Sequence, residues 1–103
     1  MEDLKQKLEN ETAKIPWLDL QRFFASGHTI FISPELDLID VALYMTHDNA
    51  EKIQSWMNKG LVASVTNEQA REWVQNETTL WSVVVRPWVL VQTLKPESTW
   101  FYL

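Results

Sequence analysis

The chain has no cysteine, only two glycines and two histidines, and four prolines in 103 residues. Without cysteine there is no disulfide framework, no thiolate zinc site and no cysteine nucleophile, and a reducing cytoplasm fits. Both glycines, Gly27 and Gly60, stand where helical patterns stop, so no glycine-rich loop remains to cradle phosphates and nucleotide-binding loops are excluded. None of Ser26, Ser33, Ser55, Ser64, Ser82 and Ser98 lies in a nucleophile elbow. Basic residues are also scarce: nine Lys and Arg face fourteen Asp and Glu, for a net charge of −5 with no basic cluster. That balance opposes the electrostatic attraction behind most nucleic-acid affinity, so no nucleic-acid partner is expected.

Long apolar runs are missing as well. A membrane-spanning helix needs about 20 consecutive apolar residues. The most apolar stretch, "VVVRPWVLVQTL" at 83–94, is interrupted by Arg86, Pro87 and Gln92. The opening "MEDLKQKLENETAK" alternates charges at helical spacing and has no apolar segment leading to a small-residue cleavage site. Neither a membrane location nor a secretory signal is therefore expected, and the protein is assigned to the cytoplasm.

What the chain does have is 46% hydrophobic residues, enough for one domain over 1–103 with a continuous core. Leu4, Leu8 and Ile15 fall near one face of a first amphipathic helix. Pro16 breaks it and opens a second, "PWLDLQRFFASG", that stops at Gly27. The strand "HTIFI" follows, and Ser33 with Pro34 reads as the start of the helix "ELDLIDVALYMT". Asp48, with Glu51 three residues on, reads as the cap of a helix that closes on Gly60. "LVASV" is a second strand, and Thr66 caps "NEQAREWVQNE".

An offset of 33 residues pairs Phe23 with Trp56, Phe24 with Met57, Gly27 with Gly60, Ile32 with Val65 and Ser33 with Thr66. The pattern suits one helix, strand, helix unit used twice, although glycine stops and hydroxyl starts recur at any helix boundary. From Leu80 to Leu94 both alternating faces are apolar, which marks a central strand covered on both sides. Pro87 donates no ladder hydrogen bond, and without a neighbouring Gly, Asn or Asp a bend is preferred there to a tight hairpin. Laid straight, fourteen steps at about 3.3 Å reach roughly 46 Å, beyond the diameter of about 33 Å expected for a domain of this size. Either Pro87 folds the strand back, or one half reaches a second copy, with Trp88, Val89 and Val91 as the candidate interface.

The elements "ETAKIPW", "ELDLIDVA" and "VVVRPWVLVQ", in this order over about residues 8 to 94, resemble a small bacterial family catalogued only as a domain of unknown function. The resemblance implies a stand-alone bacterial protein and brings no activity, cofactor or catalytic residue. The tail at 95–103 lies outside it.

One side-chain constellation invites a chemical reading. Asp37, Asp40, Tyr44 and His47, with Asp48 beyond them, are spaced to form one polar stripe on an otherwise apolar helix. Two carboxylates and an imidazole could hold a divalent metal or position a general base. Polar stripes on amphipathic helices are the rule, and this one is read first as a solvated face. His28, beyond the first glycine stop, suits the carbonyl end of a helix. Of the six tryptophans, Trp17, Trp56, Trp73, Trp81 and Trp88 lie in amphipathic or apolar elements and suit packing better than stacking on a ligand.

The expected fold is α+β: a small mixed sheet from residues 28–32, 61–65 and 80–94, covered by four or five helices. The expected function is a non-catalytic interaction module acting as a homodimer, with no cofactor. The alternative is a small acidic enzyme or metal-dependent ligand binder using the Asp37, Asp40, Tyr44 and His47 stripe.

Overall fold

A computed structural model describes residues 3–94. The C-terminal tail at 95–103, whose role the sequence left open, lies outside the described residues. Asp3 starts helix α1 (Leu4–Glu11) by accepting a hydrogen bond from the Gln6 N–H at 2.9 Å. The helix ends before Ile15, because Thr12 turns extended and its hydroxyl donates back to the Leu8 carbonyl at 2.7 Å. Strand β1 (Ala13–Pro16) then holds Ile15, against the expectation that it shares a helix face with Leu4 and Leu8. The single helix expected from Pro16 to Gly27 is a 3-10 turn (Trp17–Leu20) followed by a short α2 (Gln21–Ala25).

After β2 (Thr29–Ile32) the Ser33 hydroxyl accepts from the Glu35 N–H at 3.2 Å, which makes a local turn rather than a helix start. Helix α3 (Leu38–Thr46) begins later, where the Asp37 carboxylate accepts from the N–H groups of Ile39 at 2.8 Å and Asp40 at 3.3 Å. Asn49, not Asp48, caps α4 (Ala50–Asn58), accepting from the Lys52 N–H at 3.1 Å. Asp48 instead ends α3 in the left-handed region, at φ 55°. After β3 (Val62–Ser64), Thr66 caps α5 (Asn67–Gln75) in a reciprocal box with Gln69, as expected for that threonine.

The long apolar stretch is two strands, β4 (Thr79–Val85) and β5 (Trp88–Thr93), joined by a hairpin. Their register pairs Val85 with Trp88, so Arg86 and Pro87 alone make the turn, through a cis peptide bond. The preference for a bend over a tight hairpin is thereby corrected. A proline in a two-residue turn owes the ladder no donor, and turns with cis-proline reverse the chain without glycine or asparagine.

The five strands form one mixed sheet in the order β1-β4-β5-β2-β3, with β2 and β5 parallel and the other pairs antiparallel. The protein is α+β, with five strands where three were expected: β1 is added and 80–94 divides. β5 is the middle strand, and its alternation serves two cores. Leu90 joins Leu8, Ile32, Val41, Trp56 and Val83 on one face, with α1, α3 and α4. Val89 and Val91 join Trp17, Leu20, Trp73 and Leu80 on the other, with the 3-10 turn and α5. Where the apolar run ends, the Gln92 amide donates to the carbonyls of Ser33 at 2.9 Å and Leu36 at 2.7 Å, tying β5 to the loop before α3.

Candidate functional site

All four residues of the α3 stripe, Asp37, Asp40, Tyr44 and His47, are exposed. Each has a local place in the fold. Asp37 is the N-cap, Asp40 lies in the first turn where a negative charge suits the helix dipole, and His47 is the C-cap position. The Tyr44 ring meets the Trp56 ring edge-on at 5.4 Å, and the Lys52 ammonium lies 5.1 Å from the Trp56 ring and 5.9 Å from Tyr44. At 1.5 Å of rise per residue, Asp37 and His47 are about 15 Å apart along the axis, too far to ligate one ion. Among the described residues no group of three or more His, Cys, Asp and Glu side chains could hold a metal.

The candidate interface divides differently. Val89 and Val91 are 2% and 0% exposed, under the helices of the second core, and offer no surface to a partner. Trp88 is 36% exposed, and its ring meets His28 edge-on at 5.9 Å. The correction follows from strand geometry: neighbouring residues point to opposite faces, so Trp88 and Val89 could not share one flat contact. What remains at the surface is the hairpin tip, where Arg86, Pro87 and Trp88 are exposed, and Val84 (52% exposed) on the opposite face of the sheet from Trp88.

Two cavities flank this tip. One of about 380 Å³ is lined by Pro87, Trp88 and the α3–α4 junction, including Asn49 and Ile53. The other, about 620 Å³, lies toward Leu4, Lys7 and Glu11 of α1. Met45, Asp48, Val85 and Arg86 line both, so the two form one groove around the tip. The sequence reading missed Val84 and Arg86 as surface residues, because it did not expect the hairpin that exposes them. Asp48, read beside the solvated stripe and as a helix cap, is exposed but leaves the cap of α4 to Asn49.

A five-stranded mixed sheet in this order defines the class of protein through its relatives. The chain belongs to the family described as "Protein of unknown function (DUF2288)", whose model matches residues 3–93. It is similar to the NMR solution structure of PA1075 from Pseudomonas aeruginosa, with 39% identity and a TM-score of 0.80 over 90% of this chain and 86% of that one. No match is found among curated proteins.

Proposed function

We propose that the protein is a non-catalytic interaction module of the bacterial cytoplasm that acts as a homodimer through the tip of the β4–β5 hairpin. The observation that carries this reading is the exposure of Arg86, Pro87 and Trp88 at the turn between the inner strands β4 and β5. Tryptophan and arginine are the residue types that most often dominate binding energy when a partner buries them, and Arg86 stands beside Trp88. The bacterial setting rests on the Pseudomonas aeruginosa relative, and the cytoplasmic one on a chain without cysteine.

Light scattering on the purified protein at micromolar concentration tests the reading. The expected result is twice the chain mass, reduced to one chain mass by Trp88→Ala with the circular dichroism spectrum unchanged. A single chain mass at every concentration would overturn it.

A further inference from the structure

We propose that the tail at 95–103 is an intramolecular strap whose Trp100 seats in a groove at the end of β5 away from the hairpin tip. This groove, about 340 Å³, lies between the end of α1 and the start of α3, lined by Leu36, Ile39 and Trp81 with Thr12, Asp37 and Gln92. Trp81 and Gln92 are directly paired on β4 and β5, so together they form its floor on the sheet. Gln92, Thr93 and Leu94 lead straight into Lys95, and the tail therefore leaves the sheet beside this groove. The two cavities around Arg86 open at the other end of the strand.

An indole has a large apolar body and one N–H donor, and the groove offers a counterpart to each. Leu36, Ile39 and Trp81 are only half-buried, so apolar surface is left for a ring to cover. The Gln92 side-chain nitrogen donates to the carbonyls of Ser33 and Leu36, which fixes the amide and leaves its Oε1 an acceptor without a donor among the described residues. The tail supplies the match. Its Trp100 heads the run Trp-Phe-Tyr-Leu, four consecutive apolar residues that gain by leaving water. Six steps from Leu94 to Trp100 reach up to about 20 Å at about 3.3 Å each, enough to turn and come back. Pro96 favours such a turn, and closing so short a loop costs little entropy. The side-chain charges of Lys95 and Glu97 cancel, so no net side-chain charge opposes approach to Asp37, the one charged residue of the lining.

Nuclear Overhauser spectroscopy on the full chain tests the strap. Ring protons of Trp100 should give cross-peaks to the methyl groups of Leu36 and Ile39. Trp100→Ala should abolish them and move the amide resonances of Leu36, Ile39 and Gln92, while those of Arg86 and Trp88 stay in place. In a mixture of labelled and unlabelled chains, isotope filtering should show no cross-peak between copies. Wild-type chain without these cross-peaks would overturn the proposal, and so would Trp100 contacts to Leu4 or Trp88 at the hairpin tip. Cross-peaks between copies would overturn it in favour of a tail exchanged with a second chain. The test reads positions within one chain, so its outcome does not depend on whether copies pair at the hairpin tip.

Discussion

Asp37 stabilises the first turn of α3 through two accepted hydrogen bonds, so it acts on the fold by geometry as well as charge. Asparagine keeps that geometry and alanine does not. Asp37→Ala should cost about 1 kcal/mol, whereas Asp37→Asn with Asp40→Asn should stay within about 1 kcal/mol of wild type, measured by urea unfolding. Metal-dependent stabilisation of the wild type that the double variant loses would return the stripe to the status of a site. Val91 presents the opposite case, since it is fully buried beside Trp73 and Leu80. Val91→Lys would place an unpaired ammonium in an apolar core, and its cooperative unfolding transition should disappear rather than a dimer simply dissociate. Ser82 is also fully buried, and its hydroxyl finds no hydrogen-bond partner among the described residues. Ser82→Ala should therefore hold or raise stability, by up to about 1 kcal/mol; a clear loss would show that the hydroxyl is satisfied.

At the scale of the element, four helices end in one way. The N–H groups of Gly27 and His28 donate to the carbonyls of Phe24 and Phe23, both at 2.9 Å, and those of Gly60 and Leu61 donate to Met57 and Trp56 at 3.0 and 2.9 Å. The same pair of bonds closes α3 at Asp48 and Asn49, onto Met45 and Tyr44, and α5 at Glu77 and Thr78, onto Val74 and Trp73. The four stop residues have φ of 78°, 74°, 55° and 50° in the order Gly27, Gly60, Asp48 and Glu77. In each helix the carbonyl that accepts the longer-range bond belongs to an aromatic residue: Phe23, Tyr44, Trp56 or Trp73. Gly27 and Gly60 match at the 33-residue offset, but the motif recurs outside it, so the glycines alone do not argue for duplication. Equivalence also fades after the strands, since five residues separate β2 from α3 and two separate β3 from α5. A Cβ at either glycine would meet no atom within 4 Å, so the cost of substitution is backbone conformation alone. Gly27→Ala and Gly60→Ala should each lose about 1 kcal/mol, and Glu77→Gly should gain a similar amount, read from unfolding midpoints.

For the whole molecule, the net charge of −5 predicts no appreciable DNA or RNA binding at physiological salt, and a mobility-shift titration checks it. Salt-sensitive binding at micromolar affinity or better would reveal a basic surface that the overall balance hides. Among the described residues no helix is long and apolar enough to cross a membrane, in keeping with the Arg86, Pro87 and Gln92 that interrupt the longest apolar run.

The sequence by itself determined those features whose cause lies within a turn or so of chain: the stops at Gly27 and Gly60, the cap at Thr66, and the two-faced covering of the strand segments on either side of the turn, though not of the run as a whole, since Val84, Arg86, Pro87 and Trp88 are exposed. It also bounded the chemistry, since two glycines already spent on helix ends cannot build a phosphate loop. Tertiary structure decided what depends on partners far along the chain. Ala13–Pro16 shows no alternation of its own and is a strand because β4 lies beside it, pairing Ala13 with Ser82. The same pairing constraint reverses the chain at Arg86 and Pro87, sends Val89 and Val91 into the core and leaves Trp88 at the surface. A capping hydroxyl or a left-handed glycine acts on bonds three to five residues away, and so can be read locally. A strand's neighbours, and therefore its exposed residues, are chosen by burial over the whole sheet.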